Sequence, residues 1–252
     1  MSTHPTGTPL VLLNAFPVDR SQWEGLIAAL VDAGSVTGDI IAFDIPGIGE
    51  MPMTEEDPSL ELIADAAVVA MREATGHQAA IWVGCSMGGY IALAVAEREP
   101  TAVAGLGLIC TRSTADSPAE AQRRRDLADS LDGVTKHPAP RKVAEDLVGT
   151  QGQAREAMVA EIEANVARIN GDAIAWGQRA MADRPDRTEV LRAVDAPAVV
   201  IIGELDAVVP RADAELMADI LDIEPIVLAG VGHLAAFEAP DAVAQVLAPL
   251  FR

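Results

Sequence analysis

The chain is predicted to be an α/β protein: a mostly parallel sheet of about six strands, helices on both faces, and a helical cap inserted late in the sheet. Three observations predict it. Short apolar runs rich in Val, Ile and Leu alternate with longer amphipathic stretches. One of those runs, residues 79–83, passes through Gly84-Cys85-Ser86-Met87-Gly88 straight into an apolar helical stretch. From about Arg112 to Arg187 the alternation stops, and helical patterns punctuated by Pro and Gly take over.

Strands are read at residues 10–13, 40–43, 79–83, 104–110, 198–202 and 225–228. Helices are read near 23–33, 60–75, 87–98, 211–221 and 240–251. Pro100, Pro197 and Pro225 fall at the edges of these elements, where a missing N–H does no harm. Residues 112–187 carry amphipathic helices such as 154–169 between breakers from Pro118 to Pro185. The expected organisation is a core of residues 1–111 and 188–252 with residues 112–187 as a cap. An insertion between two parallel strands lies at their carboxyl ends, where such sheets bind ligands.

At 252 residues the chain is long enough for one large domain with an inserted subdomain. Half of it is hydrophobic but 3% is aromatic, so Ala, Val, Leu and Ile must fill the core. A net charge of −20 repels phosphate backbones and anionic membranes, which argues against nucleic-acid and membrane partners. Two cysteines, Cys85 and Cys110, are too few for a disulfide framework and read as small buried hydrophobes in a reducing compartment. The start, MSTHPTGTP, lacks a basic stretch followed by an apolar one, and no apolar run reaches the roughly 18 residues that span a bilayer. The expected location is cytoplasmic, with a homo-oligomer left open.

Gly84-Cys85-Ser86-Met87-Gly88 between a strand and a helix reads as a nucleophile elbow. The sharp turn holds the serine in a strained conformation, and the glycines leave room for crowded backbone. A serine hydroxyl needs a base to take its proton and a third group to orient that base. His233, in a glycine-punctuated loop directly after the last strand, is the expected base. Asp206, in Gly203-Glu204-Leu205-Asp206 after the preceding strand, is the expected acid, with Glu204 its competitor on that loop. Backbone donors for an oxyanion are expected at Met87, beside the serine, and at Phe16, in the loop Asn14-Ala15-Phe16-Pro17 after the first strand. Arg112, near Arg123, Arg124 and Arg125 at the cap's entrance, is a candidate for binding substrate through a carboxylate. Trp176 is expected either to close the acyl pocket or to belong to the cap's own core.

The elbow GCSMGG, the loop NAFP with Trp23 after it, the turn DIPGIG at 44–49, the acid loop GELD and the segment GVGHLAAFEAP stand in the order and spacing of the α/β-hydrolase superfamily. The resemblance covers nearly the whole chain. It is closest in look to 3-oxoadipate enol-lactonases, small carboxylesterases and cofactor-free haloperoxidases (perhydrolases). It implies a serine hydrolase needing no metal or organic cofactor, acting on a small-molecule ester or lactone through a Ser86–His233–Asp206 triad. Perhydrolase chemistry on the same triad, or a non-catalytic ligand-binding role, are the alternatives. Two departures stand out. Asn14-Ala15 replaces the His-Gly usual before the aromatic residue of the oxyanion loop. The nine residues ahead of the first strand also leave no room for the usual N-terminal hairpin, so 40–43 is expected to be an edge strand.

Overall fold

The computed structural model describes residues 7–251. Six strands form one sheet: β1 (Leu10–Leu13), β2 (Ile40–Phe43), β3 (Ala80–Cys85), β4 (Val103–Ile109), β5 (Ala198–Gly203) and β6 (Ile226–Leu228). Their order is β2-β1-β3-β4-β5-β6, with every pairing parallel. Every residue of β1 and β3 is buried, as unbroken apolar runs demand when helices cover both faces.

After β1 the chain steps to β2 on one side, then returns to β3 on the other. The strand order therefore reverses between β1 and β3, the kind of place where parallel sheets open a ligand crevice. The registers Leu13↔Gly84, Cys85↔Ile109, Ile109↔Ile201 and Gly203↔Leu228 align the carboxyl ends of these strands. The loops bearing Phe16, Ser86, Arg112, Asp206 and His233 thus share one edge of the sheet.

Helices α1 (Glu24–Asp32), α2 (Leu60–Thr75) and α3 (Met87–Arg98) belong to the first half of the sheet. Ser59 starts α2 by accepting the Leu62 N–H at 3.2 Å, and Gly76, at φ 72°, ends it in the left-handed region. Residues 87–96 of α3 are all buried, which explains a stretch that is apolar on every face. Among aromatic residues, Trp23 and Trp82 are fully buried, and the Trp82 indole N–H donates to Ala102 O at 2.8 Å. Aliphatic side chains form most of the remaining core, as the composition requires.

Between β4 and β5 lie α4 (Pro118–Leu131), α5 (Pro140–Leu147), α6 (Gln153–Val166), α7 (Gly171–Ala182) and α8 (Thr188–Arg192). Ser117 and Glu120 close a capping box at the start of α4. Helix α4 packs along α7, and α5 along α6. Ion pairs fasten the insertion where it leaves and rejoins the sheet. Asp116 accepts from Arg184 at 2.8 Å and from Arg124 at 2.6 Å. Burial raises the Asp116 pKa, but the two guanidinium groups outweigh it and hold the carboxyl below its ordinary range. Arg187 bridges Glu61 of α2 and Glu97 of α3, and its N–H donates to Ser113 O at 2.8 Å. Helices α9 (Arg211–Leu221), α10 (Ala235–Glu238) and α11 (Pro240–Leu247) complete the second half.

The sequence reading differs mainly at boundaries. β3 runs two residues past Val83 to Cys85, because the strand pairs with β4 up to the serine itself. The last helix stops at Leu247 and tightens into a 3-10 turn over Ala248–Phe251. β2 is an edge strand with Ile40, Ile41 and Ala42 half-buried, and every strand pairing among the described residues is parallel. No helix among them is long and apolar enough to cross a membrane.

Candidate active site

Ser86 stands between β3 and α3 at φ 53° and ψ −116°, a conformation that costs a non-glycine residue of order 1–3 kcal/mol. Its surroundings hold it there. The Ser86 N–H donates to Ile109 O at 2.9 Å, and its carbonyl accepts the Thr111 hydroxyl at 2.6 Å. The two elbow glycines are forced by contact. A Cβ on Gly88 would come within 2.0 Å of Leu13 O, and one on Gly84 within 2.2 Å of Gly88.

His233 is 1% exposed, and its Nδ1 lies 3.0 Å from each carboxylate oxygen of Asp206. That contact assigns the Nδ1 proton to the carboxylate and leaves Nε2 as the free base. Nε2 is buried and has no partner among the described residues. Asp206 Oδ1 also accepts the Val208 and Val209 N–H groups, at 2.8 and 3.0 Å. Burial raises the Asp206 pKa, yet the His233 hydrogen bond and charge, with these backbone donors, leave the carboxyl below its usual range. Glu204 points its bonding elsewhere: it accepts the Gly230 N–H at 2.8 Å. Of the two acids on this loop, Asp206 is the partner of His233.

Met87 is the first residue of α3, so its N–H has no intrahelical acceptor. The Phe16 N–H donates in none of the hydrogen bonds of the described residues. Neither N–H has a hydrogen-bond acceptor among the described residues. Around Phe16, Asn14 replaces the usual histidine without leaving a gap. Its amide nitrogen donates to Asp44 at 3.0 Å, and its oxygen accepts the Trp23 indole N–H at 2.7 Å. Gln22 Oε1 takes the Ala15 N–H at 3.1 Å. Asn14→Ala would leave the buried Trp23 donor unpaired, so a loss of about 1–3 kcal/mol in urea unfolding is expected.

Ser86, His233, Phe16 and Arg112 line one cavity of about 420 Å³ beneath the insertion. Leu131, Leu147, Ile174 and Met181 of the insertion supply apolar wall. The Phe16 ring abuts α7, where a Cβ on Gly177 would lie 2.3 Å from it. Trp176 is placed differently from the substrate-binding assignment. It is absent from this lining; its indole N–H donates to Glu56 O at 3.0 Å, tying α7 to the segment before α2. Its side chain is buried.

Glu238 escaped the sequence reading. Its Oε2 accepts the N–H groups of Gly149, Thr150 and Gly232 and the Thr150 hydroxyl, at 2.6–3.0 Å. Oε1 takes the Leu234 N–H at 3.2 Å, and the His233 N–H donates to Leu147 O at 3.1 Å. The histidine loop is therefore gripped between α10 and the end of α5. The one available signal was an acid at a fixed step after His233 in GVGHLAAFEAP.

Behind the pair, the Sγ of Cys110, a carboxylate oxygen of Asp206 and a ring nitrogen of His233 all lie within 4.8 Å of one another. Cys110 donates to Gly232 O at 3.7 Å and Cys85 to His233 O at 3.6 Å. Burial pushes both thiols well above their ordinary pKa, which keeps them protonated donors that buttress the loop.

A strained serine at a strand-to-helix turn, a buried Asp–His pair two and three strand ends away, and a helical insertion over both define an α/β hydrolase. The model of the alpha/beta hydrolase family matches residues 10–246, and the chain belongs to that family. Among solved structures, a thermophilic esterase from Thermogutta terrifontis, with malate bound, superposes with a TM-score of 0.86 at 28% identity, covering 99% of this chain and 92% of that one. The enol-lactonase of Burkholderia xenovorans gives a TM-score of 0.76 at 20% identity, covering 99% and 93%, a likeness of fold. The dihydrolipoyllysine-residue acetyltransferase component of an acetoin cleaving system from Pseudomonas putida is 28% identical over 98% of this chain and 64% of its own length. A pimeloyl-[acyl-carrier protein] methyl ester esterase from Methylococcus capsulatus is 36% identical over 44% of this chain and 39% of its own. The chain thus spans less than two thirds of either curated relative.

Proposed function

We propose that the protein is a serine hydrolase that cleaves a small carboxylic ester or lactone through an acyl-enzyme. One observation carries this reading: the strained Ser86 and the free Nε2 of the His233–Asp206 pair face one cavity. His233 Nε2 takes the Ser86 proton as Oγ attacks the carbonyl, and Asp206 holds the imidazole and stabilises its charge. The Phe16 and Met87 N–H groups receive the oxyanion. His233 then gives its proton to the leaving alcohol and later activates water to release the acid. Residues 112–187 act as a cap that excludes water and shapes the acyl site. The names of three of these proteins, two esterases and an enol-lactonase, support the same bond type.

The test is hydrolysis of p-nitrophenyl acetate without peroxide, which the proposal expects. Turnover that appears only on adding peroxide would replace it with perhydrolase chemistry.

Glu238 is a positioning residue in this scheme. Glu238→Ala should lower kcat by about 10²-fold, the cost of a small misplacement of the base, with KM changed much less. Glu238→Gln, which keeps one acceptor oxygen, should recover part of it. Equal loss in kcat and in the folded fraction would reduce Glu238 to a structural role.

A further inference from the structure

The cavity wall is cationic although the protein is strongly acidic. Arg112 and Arg124 line it, while the carboxylates nearest Arg112 stand behind the wall. Arg124 is already satisfied by Asp116 at 2.6 Å and Gln178 at 3.0 Å. Asp146, the acid on the wall, is paired with Lys142. Arg112 is paired more loosely. Its side chain is 13% exposed, its closest carboxylate contact is Glu120 at a long 3.4 Å, and its buried Nε has no partner. Asp213 acts on it electrostatically but does not form an ion pair with it, and burial pushes that carboxyl up. Tyr90 is a further side-chain partner, so no carboxylate grips the guanidinium at close range, and a guanidinium withdrawn from water is costly unless an anion completes it.

Arg112 is also close to the reacting atoms. It follows Thr111, whose hydroxyl holds the Ser86 carbonyl at 2.6 Å, and it neighbours Tyr90, one helical turn beyond Ser86. Tyr90 lines the same cavity, with the Arg184 guanidinium 4.1 Å from its ring centre. The cavity that holds Ser86 therefore carries on its wall a guanidinium that no carboxylate grips at close range, with apolar surface around it.

Building on the hydrolase reading, we infer that the natural substrate is an ester or lactone carrying a carboxylate a few bonds from the scissile carbonyl, and that Arg112 reads that carboxylate. Arg112 is a specificity residue rather than part of the proton relay. Neutral esters are still cleaved, but more slowly.

Two matched pairs of esters test this, each comparing a carboxylate with its neutral nitro isostere. Monoethyl glutarate against ethyl 4-nitrobutanoate places the charge on the acyl side. 4-Acetoxybutanoate against 3-nitropropyl acetate places it on the alcohol side. In at least one pair kcat/KM should favour the carboxylate by about tenfold or more, the size of one charge-assisted bond. Arg112→Met should remove that preference, lowering kcat/KM for the carboxylate ester by about tenfold more than for its neutral isostere, and Arg112→Lys should keep part of it. No preference in either pair, or a preference that survives in Arg112→Met, would overturn the inference. If Arg112→Met does not fold, competition in the unaltered enzyme decides: glutarate should inhibit neutral turnover far more strongly than butanoate, and equal inhibition would refute the idea. Neutral turnover without a preference sinks this inference alone; no turnover of any ester sinks the hydrolase reading beneath it.

Discussion

Ser86→Ala is expected to lower kcat/KM for p-nitrophenyl acetate by about 10⁵-fold or more, with the fold intact. The size follows from what is removed. Ser86 Oγ is the nucleophile in the proposed scheme, and neither buried cysteine can replace it, since burial keeps both thiols protonated. The backbone donors at Phe16 and Met87 would remain, leaving weak residual catalysis. Alanine tolerates φ 53° no better than serine, so circular dichroism and the urea midpoint should hardly move. Loss of activity with retained stability separates a chemical role from a structural one.

Asp206→Asn carries the second large effect, about 10³–10⁴-fold in kcat. The amide can still accept from Val208 and Val209 through its oxygen. Its nitrogen then faces His233 Nδ1 as a donor, favouring the tautomer with the proton on Nε2, where the base is needed empty. A stability signature accompanies this. The Asp206 carboxyl is held below its ordinary pKa in the folded protein, so it favours folding above the unfolded carboxylate pKa. That contribution is lost as pH falls through the depressed value. The unaltered protein should therefore lose part of its advantage over Asp206→Asn between neutral pH and pH of about 3, measured as urea midpoints.

The sheet, and the placement of Ser86, Asp206 and His233 after its strands, were readable in the chain because both are written in local patterns. Apolar runs such as 10–13 and 80–85 are buried on both faces, and Ser86, Asp206 and His233 lie in the segments that follow β3, β5 and β6. Asn14 was read as a departure whose effect on the loop stayed open. What closes that gap is Asp44, 30 residues away, and no local pattern announces such a partner. Glu238 is similar, since its meaning comes from Gly149 and Thr150, which the insertion brings back across the histidine loop. Arg112 was singled out from its neighbours at the insertion's entrance by position alone. Packing separates it from two of them: Arg124 goes to Asp116, Arg125 to Asp183 and Arg112 to the cavity wall. Trp176 found its acceptor at Glu56, 120 residues distant. Partner choice across the fold is a tertiary property, whereas burial and periodicity belong to short stretches.

The most direct measurement is peptide mapping of the protein after reaction with a fluorophosphonate probe. One adduct on the peptide containing Ser86, formed in step with loss of ester turnover and absent in Ser86→Ala, is the predicted result. Turnover that persists after complete reaction, or an adduct on another residue while Ser86 stays unmodified, would contradict the assignment of Ser86 as an activated nucleophile.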